Sequence, residues 1–334
     1  MYSSTWVNAR PVQTIWPYIQ LARIDHWFKN TFMLLGVLVA FFYEPASLTW
    51  ATLPVITLGL LATCLVASSN YVLNELLDGS TDSFHPEKKY RPVPSGKIRP
   101  GFAIIEWLLV GASGALLASL VSFSFFLSAL VLWLMGVAYN VPPVRTKELP
   151  YLDVLSESLN NPLRLFLGWF AVVPDKVPPL SLVLAYWMVG AFFMATKRFA
   201  EYRHISNAQT AAQYRRSFGY YNENRLMVSM FTYATMSALF SGIFIIRYRV
   251  ELILFVPLAA GFFGYYLSLA LKQDSPTQHP ERLYRERGFV SYLVISLMVL
   301  VALMLVRVPA LYNMFNIEPA HIDPLWTIGT GTEP

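Results

Sequence analysis

Long apolar stretches alternate with polar segments along most of the chain. Nine such stretches can be recognised, near residues 30–46, 53–77, 102–121, 122–140, 152–172, 179–196, 226–246, 251–271 and 289–308. Each is close to the roughly 20 residues that an α-helix needs to cross the hydrocarbon core of a bilayer. Because lipid offers no partner to unpaired backbone groups, the pattern predicts an all-α integral membrane protein with nine transmembrane helices.

The composition agrees with this class. Of the 334 residues, 55% are hydrophobic and only 13% are charged, and the mean hydropathy is +0.46. Residues 1–28 contain no continuous apolar core, and their tryptophans predict an amphipathic segment that lies along the membrane interface. Residues 29–308 are predicted to form the transmembrane domain, and residues 309–334 a polar C-terminal tail.

Lysine and arginine are concentrated in every second connection, above all in the long ones near residues 78–101, 197–225 and 272–288. By the positive-inside rule, this asymmetry places the N-terminus and these loops in the cytoplasm and the C-terminus outside, in a multi-pass protein of the cytoplasmic (inner) membrane. The net charge of +5 therefore reflects topology and does not indicate nucleic-acid binding. Aromatic residues within the long loops predict that the loops pack as a cap over a central polar cavity.

Three polar residues follow one another at a spacing of four where the second apolar stretch ends. Asn74, Asp78 and Asp82, here called the ladder, each step about 40° round a helix axis, so they lie along one side of the helix. Carboxylate and amide oxygens suit Mg²⁺, which proteins commonly hold together with substrate phosphates. The ladder predicts a magnesium and diphosphate site, with Asp78 and Asp82 in catalytic roles. A solvated helix end with incidental acids is the alternative.

A basic loop follows the ladder directly. It reads His-Pro-Glu-Lys-Lys-Tyr-Arg-Pro at residues 85–92, and Lys88, Lys89 and Arg91 are cations suited to phosphate. His85 has no His or Cys partner at metal-ligand spacing, which favours a loop hydrogen bond over metal ligation. The ladder and the loop together predict a site for a phosphorylated substrate that faces the cytoplasm.

A second polar constellation spans two neighbouring apolar stretches. Tyr139 and Lys147 flank a pair of prolines that ends a helix, and the next helix is predicted to begin near residue 150. That helix carries four polar residues on one face: Asp153, Glu157, Asn161 and Arg164. Because a charge at the bilayer centre costs roughly 2.5–3.5 kcal/mol, this face is predicted to border a polar cavity. A purely structural pair between Glu157 and Arg164 is the alternative.

A third charged group lies at the inner end of the sixth apolar stretch. It consists of Lys197, Arg198 and Glu201. From the residues alone, the two cations are equally well explained as charges that end a membrane span, and Glu201 as a helical partner of Lys197. A role in substrate binding rests on the resemblance described next.

In motif order and helix count, residues 20–308 resemble the UbiA prenyltransferase superfamily. Members are nine-helix membrane enzymes whose Asp-rich motifs hold Mg²⁺ and a diphosphate in a central cavity. The ladder matches the first of these motifs, with Glu75 where aspartate is usual. Tyr139 and Lys147 match the tyrosine and lysine of the family's phosphate element.

Within the superfamily, the chain is most similar to the decaprenyl-phosphate phosphoribosyltransferase branch. Residues 22–30, which include Lys29, resemble that branch's Arg-Pro-x-x-Trp-x-Lys-Asn opening. Residues 85–92 resemble its His-Pro-x-Lys-Arg-x-Arg-Pro run, and residues 197–201 resemble its Lys-Arg-x-x-Glu motif. Aromatic prenyltransferases carry a second Asp-rich motif in the place of residues 197–201.

The resemblance implies a Mg²⁺-dependent transferase that moves 5-phosphoribose from phosphoribosyl diphosphate to a polyprenyl phosphate and releases diphosphate. The ladder residues Asn74, Asp78 and Asp82 would hold Mg²⁺ on the leaving group. Asp153 and Glu157 would bind ribose hydroxyls and stabilise positive charge at C1. The other implied substrate- or phosphate-binding residues are Lys29, Lys88, Lys89, Arg91, Tyr139, Lys147, Asn161, Arg164, Lys197, Arg198 and Glu201.

Two other functions compete with this one. A UbiA-type enzyme with exchanged roles would move a prenyl group from a prenyl diphosphate to an aromatic or other small acceptor, but the chain has no obvious second Asp-rich motif. A transporter of phosphorylated solutes would show inverted repeats and broken helices in matching halves, and neither is evident in the sequence. Phosphoribosyl transfer is therefore the main prediction.

Overall fold

The computed structural model describes residues 15–83, 88–205, 215–272, 275–278, 283 and 285–315. Within these ranges all regular secondary structure is helical, which confirms the predicted all-α class. The α-helices are α1 (Trp16–Leu21), α2 (Leu34–Tyr43), α3 (Thr52–Asp82), α4 (Pro100–Val121), α5 (Phe123–Asn140), α6 (Leu152–Ser158), α7 (Asn160–Phe170), α8 (Leu180–Ile205), α9 (Glu223–Tyr248), α10 (Val256–Ala270), α11 (Arg287–Leu305) and α12 (Pro309–Met314). Short 3₁₀-helices lie at Ile24–Met33, Pro45–Ser47, Lys88–Tyr90, Thr146–Glu148, Arg216–Gly219, Val250–Phe255 and Pro276–Gln278.

Seven helical segments in the described ranges are long and apolar enough to cross a membrane, namely α3, α4, α5, α8, α9, α11 and the run Val250–Ala270 that contains α10. Their surfaces carry large exposed apolar side chains such as Leu116, Phe231 and Leu305. Helices that are apolar all round are typical of membrane proteins. The chain is therefore an integral membrane protein, as predicted, although the predicted count of nine spans is not confirmed.

The two remaining predicted spans are built from shorter pieces. The stretch near residues 30–46 begins within the 3₁₀-helix Ile24–Met33 and continues as α2. The stretch near residues 152–172 is divided into α6 and α7 at Leu159. Pro162 explains this break, because it has no N–H to donate to the carbonyl four residues earlier. The polar residues that were predicted to share one helix therefore lie on two.

Helix α3 carries the ladder beyond the apolar part of the bundle. Its 31 residues extend about 46 Å at 1.5 Å per residue, whereas the hydrocarbon core of a bilayer is ~30 Å thick. Asp78 and Asp82 lie in its last turns. The end of α5, the start of α6 and the end of α8 lie at the same end of the bundle, so polar residues from four helices meet there.

The two largest apolar clusters of the described residues lie in different parts of the bundle. One lies between α3, α5 and α7 and includes Met33, Leu132 and Leu167. The other lies among α8, α9, α10 and α11 and is rich in aromatic rings. Phe218 and Tyr221, from the loop after α8, are buried in this second core. That part of the loop is therefore packed against the bundle, as predicted for a cap.

Helices α2 and α7 cross at two glycines. A Cβ atom at Gly36 would overlap the Leu165 carbonyl of α7, and one at Gly168 would overlap the Met33 carbonyl just before α2. Two helix backbones approach this closely only where one of them has no side chain, as is common in membrane bundles. The crossing holds the first helical pieces against α7, which carries Arg164.

The predicted terminal segments lie partly outside the described residues. Helix α1 begins at Trp16, whose side chain is 62% exposed, and α12 covers the first part of the predicted polar tail. Residues 1–14 and 316–334 are not described. The interfacial role of residues 1–28 stays a prediction.

We expect Gly168→Ala to lower the melting temperature of the detergent-purified protein, because overpacking a tight contact costs about 1–3 kcal/mol. Gly242→Ala in α9 is the matched control, since a Cβ atom at Gly242 would meet no atom within 4 Å. Thermal unfolding followed by tryptophan fluorescence measures both variants. Equal melting temperatures would contradict the close crossing of α2 and α7.

Candidate active site

Asp78 is the centre of a first group of polar contacts. Its Oδ1 accepts hydrogen bonds from Lys147 Nζ at 2.5 Å and from Arg145 Nη2 at 3.3 Å. Lys147 Nζ also donates to Asn140 Oδ1 at 2.9 Å, and Asn74 Nδ2 donates to the same oxygen at 2.6 Å. The asparagine at the end of α5 therefore joins the ladder to the lysine that follows this helix.

Asp82 forms a second ion pair of the ladder, because Arg91 Nη1 donates to its Oδ2 at 2.6 Å. Glu75 points elsewhere. Its buried carboxylate accepts a hydrogen bond from the Val93 backbone N–H at 3.2 Å and lies 3.8 Å from Arg23 Nε. Glu75 thus connects α3 to the loop after it and to the N-terminal segment. We call the following residues the aspartate centre: Asn74, Asp78, Asp82, Arg91, Arg145 and Lys147.

The turn between α5 and α6 directs two cations at Asp78. Lys147 is buried, and this burial lowers the pKa of its ammonium group, while the Asp78 carboxylate acts in the opposite direction. Arg145 has a φ of +29°, which is uncommon for a residue with a side chain. Strained backbone conformations of this kind occur preferentially beside functional sites. The turn therefore has the features of a site that is built for charged ligands.

Arg198 is the centre of a second group. Its guanidinium donates to Asp153 Oδ2 at 3.3 Å, to Glu157 Oε2 at 2.5 Å and to Glu201 Oε2 at 3.0 Å. The side chain of Arg198 is 3% exposed and that of Asp153 is fully enclosed. Buried charges require such partners, because an uncompensated charge in a low-dielectric region is costly. We call the following residues the arginine centre: Asp153, Glu157, Arg198, Glu201 and Arg215.

Asp153 connects α6 to the loop after α8. Besides Arg198, its carboxylate accepts hydrogen bonds from Tyr221 Oη at 2.5 Å, Ser217 Oγ at 3.2 Å and Arg215 Nη1 at 3.5 Å. The Tyr221 hydroxyl in turn accepts from the backbone N–H of Tyr151 at 2.6 Å. Four donors therefore surround one carboxylate, and three of them belong to the loop. Asp153 fixes this loop to the bundle.

Tyr139 lies between the two centres. Its hydroxyl donates to Glu157 Oε2 at 3.0 Å and accepts from Arg215 Nη2 at 3.2 Å. The next residue in α5, Asn140, belongs to the contacts around Asp78. The last turn of α5 thus joins the aspartate centre to the arginine centre. Unlike Asp153, the Glu157 side chain keeps 28% of its surface exposed, so it can contact a ligand.

Two pairings considered from the sequence are not formed. Glu157 bonds Arg198, and Arg164 Nε instead donates to Asn30 Oδ1 at 3.1 Å. Glu201 bonds Arg198, three residues away, and not Lys197. The break between α6 and α7 explains the first difference, because it separates Glu157 from Arg164. For Glu201, the buried arginine needs a counter-charge more than the partly exposed lysine does.

The remaining predicted residues lie round these centres. Lys29 Nζ is 3.3 Å from His26 Nδ1, and Asn161 lies against Gly190 of α8. Lys89 Nζ lies 5.1 Å from the centroid of the Tyr90 ring. The side chain of Lys88 and residues 84–87, which include His85, lie outside the described part of the chain.

Sequence reasoning missed five residues that belong to the two centres or bond to them. Asn140 and Arg145 lie inside the segment 139–147 that attracted attention, so their proximity to Lys147 was a usable signal. The loop residues had no such signal, because no spacing in the sequence relates them to Asp153. The missed residues are Asn140, Arg145, Arg215, Ser217 and Tyr221.

The arrangement of the helices resembles that of a solved structure. A UbiA homologue from Archaeoglobus fulgidus, whose structure was determined bound to DMAPP and Mg²⁺, superimposes with a TM-score of 0.65 and 19% sequence identity. The superposition covers 87% of this chain and 100% of that chain. The sequence profile of the UbiA prenyltransferase family matches residues 32–294. This chain belongs to the UbiA prenyltransferase family. The family prediction is confirmed, and the chain is a UbiA-type integral membrane protein.

Two relatives illustrate the similarity in sequence. Decaprenyl-phosphate phosphoribosyltransferase of Mycolicibacterium smegmatis is 27% identical over 216 residues, which are 62% of this chain and 63% of the relative. Nodulation protein NoeC of Azorhizobium caulinodans is 36% identical over 98 residues, 29% of each chain. Both matches span less than two thirds of the relative's length.

The aspartate centre of this UbiA protein has the chemistry of a magnesium site. It offers carboxylate oxygens from Asp78 and Asp82 and an amide oxygen from Asn74. In the described residues, no group of three or more His, Cys, Asp or Glu forms a ready-made metal cage. Mg²⁺ needs only one or two carboxylates when substrate phosphates and waters complete its coordination. The residues therefore fit a metal ion that is bound together with a phosphorylated substrate.

Replacing Arg198 with Met should lower the melting temperature strongly, because three carboxylates lose their shared partner. Breaking a buried ion pair by removing one member costs about 3–5 kcal/mol. Lys176→Met is the control. Lys176 pairs with Glu44 at the other end of the bundle, where the two side chains are 57% and 42% exposed. Such an exposed pair should contribute nothing measurable to the stability of the fold. An Arg198→Met protein that melts like the wild type would show that the arginine centre does not hold the fold together.

Proposed function

We propose that this chain transfers 5-phosphoribose from phosphoribosyl diphosphate to a polyprenyl phosphate, with release of diphosphate and in dependence on Mg²⁺. The name of its M. smegmatis relative supports this pair of substrates. The observation that carries the proposal is the state of the arginine centre. Asp153, Glu157 and Glu201 all accept hydrogen bonds from Arg198, whose side chain is 3% exposed, so a metal ion among them would compete with a buried guanidinium.

This state of the arginine centre favours a donor that needs one metal-binding cluster. Two carboxylate clusters suit two metal ions on one diphosphate. A second metal at the arginine centre would displace Arg198 and leave its guanidinium buried without partners, which is costly. One metal-binding cluster together with several cations suits phosphoribosyl diphosphate, which has a diphosphate and a separate 5-phosphate.

The aspartate centre is proposed to bind the diphosphate of the donor. The ladder would hold Mg²⁺, which when bound neutralises the charge that develops on the leaving group. Lys147 and Arg145 already lie against Asp78 and would bind the diphosphate oxygens beside it. From the loop after α3, Arg91 would do the same beside Asp82. Lys88 and Lys89 belong to the same loop and are proposed to contribute further positive charge.

The acceptor needs no general base, because a phosphate monoester carries about 1.5–2 negative charges at neutral pH. One of its oxygens would attack C1 of the ribose. The new C1–O bond forms as the bond from C1 to the diphosphate oxygen breaks, and diphosphate leaves with the electron pair. Glu157, which Tyr139 and Arg198 hold in place, would stabilise the positive charge that develops at C1. The enclosed Asp153 would act indirectly, by positioning Arg198 and Arg215.

Three other residues are proposed to line the substrate cavity. Lys197 is partly buried in α8 and lies close enough to Glu157 for its charge to act on that carboxylate. Lys29 lies beside His26 in the N-terminal segment, and Asn161 of α7 lies against Gly190 of α8. Lys197 would bind a substrate phosphate, and Lys29 and Asn161 would hydrogen-bond the sugar or its phosphates.

Prenyl transfer is the second candidate, because the A. fulgidus homologue was determined bound to DMAPP and Mg²⁺. In that reaction the aspartate centre would again hold the diphosphate, and the carbon under attack would belong to the prenyl chain. Attack by an aromatic carbon requires a group that removes the ring proton. The arginine-bound carboxylates are poor candidates for this group, since each is engaged as an acceptor.

The test is a transfer assay with purified protein in detergent, Mg²⁺, phosphoribosyl diphosphate labelled in the ribose, and a polyprenyl phosphate. We expect label in the lipid phase, one diphosphate per label, and loss of transfer with EDTA. Consumption of a prenyl diphosphate with an aromatic acceptor, and no transfer of ribose label, would replace the proposal by the second candidate.

Within the same assay, Asp78→Asn should reduce turnover by about a hundredfold or more, the size of effect seen when one preorganised electrostatic group is removed. Asp175→Asn is the matched control, because Asp175 is exposed in the loop between α7 and α8 at the opposite end of the bundle. Both variants should elute as folded protein. Near-normal turnover of Asp78→Asn would refute the metal-binding role of the ladder.

We further propose that the two centres face the cytoplasm across a cytoplasmic membrane, with the N-terminus on the same side and the C-terminus outside. The cations of both centres lie at one end of the bundle, as the positive-inside rule requires of a cytoplasmic face. In intact cells, a membrane-impermeant maleimide should label Asp175→Cys but not Ser80→Cys. The native Cys64 is buried and serves as background. Labelling of Ser80→Cys alone would invert the orientation.

A further inference from the structure

Arg164 differs from the other arginines that lie among the site helices. Its hydrogen bonds go to neutral atoms, from Nε to Asn30 Oδ1 at 3.1 Å and from Nη1 to the Asn160 carbonyl at 3.4 Å. No carboxylate of the described residues lies within 4 Å of it. By contrast, five arginines nearby each have a carboxylate partner: Arg23, Arg91, Arg145, Arg198 and Arg215.

The surroundings of Arg164 hold the side chain in place without neutralising it. Asn30 is fully buried, and its Nδ2 donates to Cys64 Sγ at 3.4 Å, which orients its oxygen towards Arg164. Arg164 Nη2, with two N–H groups, makes no hydrogen bond to any described residue. A guanidinium presented in this way has one planar edge available, which is the geometry that binds phosphate through two parallel hydrogen bonds.

Two tyrosines complete the same region. Tyr71 in α3 and Tyr186 in α8 both lie within the range of the Arg164 charge. Neither tyrosine hydroxyl makes a hydrogen bond to a described residue. A cation with two O–H donors, set among apolar helices, has the composition of an anion site. An arginine inside a membrane protein is stable only when an anion or water compensates its charge.

The position along α3 separates this region from the diphosphate site. Hydrogen bonds link Arg164 through Asn30 to Cys64, which precedes Asp78 by 14 residues in α3, or about 21 Å along the helix axis. A diphosphate bound at the aspartate centre therefore cannot also occupy Arg164. A second phosphorylated group can, because both substrates of the proposed reaction carry a phosphate monoester.

We propose that Arg164, together with Tyr71 and Tyr186, binds the phosphate monoester group of one substrate. Two sources share this chemistry, the phosphate of the polyprenyl acceptor and the 5-phosphate of the donor sugar. The assignment rests on the proposed function for the identity of the substrate. The binding of a phosphate monoester by itself does not depend on which group is transferred.

Arg164→Gln tests the proposal, with Arg247→Gln as the matched control because Arg247 is exposed at the outer end of α9. The full chain in detergent is titrated, without Mg²⁺ or donor, with farnesyl phosphate and with ribose 5-phosphate. Farnesol and ribose are the controls without phosphate. We expect Arg164→Gln to weaken binding of one phosphate probe by about tenfold or more, as for loss of charged hydrogen bonds. Arg164→Lys, which keeps the positive charge, should lose less of its affinity for that probe.

The melting temperature separates a binding role from a structural one. Arg164→Gln should lower the melting temperature much less than Arg198→Met, because its removal leaves one amide oxygen without a donor but no carboxylate unpaired. Tyr186→Phe is the second variant and should weaken the same probe while the fold is retained. A large loss of stability in Arg164→Gln with unchanged affinity for both probes would overturn the proposal.

The transfer assay distinguishes the two sources and the two proposals. A raised KM for polyprenyl phosphate alone in Arg164→Gln identifies the acceptor phosphate, and a raised KM for phosphoribosyl diphosphate alone identifies the 5-phosphate. Unchanged KM values for both substrates, with normal phosphoribosyl transfer, would refute the Arg164 site and leave the proposed function intact. The wild type could instead transfer a prenyl group while Arg164→Gln still loses phosphate binding. That result would refute the proposed function and support the Arg164 site.

Discussion

Compensation of charge inside the bundle is the constraint on which the rest of the structure depends. Arg198 lies almost fully enclosed in α8 and is stable there because α6 supplies Asp153 and Glu157 and its own helix supplies Glu201. Once these contacts form, α6 must lie beside α8, and the loop with Arg215 must lie over Asp153. An ion network that is costly to bury therefore determines where the short helices and the loop go.

The same constraint links the two centres through α5. Tyr139 contacts the arginine centre and Asn140 contacts the aspartate centre, although they are adjacent residues. A shift of the α5 end would disturb both sets of hydrogen bonds at once. The two centres are therefore structurally coupled, which in the proposed transfer would help to align the two substrates to within a fraction of an ångström.

Local patterns predicted those features that depend on neighbours in sequence. Apolar runs gave the membrane class and most of the helices, and a spacing of four correctly grouped Asp78 and Asp82 on one helix. The pattern failed at Pro162, where a continuous apolar run concealed a broken helix. It also could not relate Asp153 to Arg198 and Tyr221, because these partners are 45 and 68 residues apart in the chain. Spacing rules report on a single helix, whereas the site is assembled between helices.

The ion pairs of the aspartate centre have a consequence for how ligands arrive. Asp78, Asp82 and Glu148 are matched by Arg91, Arg145 and Lys147, so the residues of this region carry no net charge on their own. A divalent cation alone would meet three positive groups, and a free diphosphate would meet three negative ones. In the proposed reaction a metal–diphosphate complex would bring both kinds of charge at once, with the metal ion facing the carboxylates and the diphosphate oxygens facing the cations. Such a centre would favour the two components together over either one by itself, which is a form of synergy that needs no moving part.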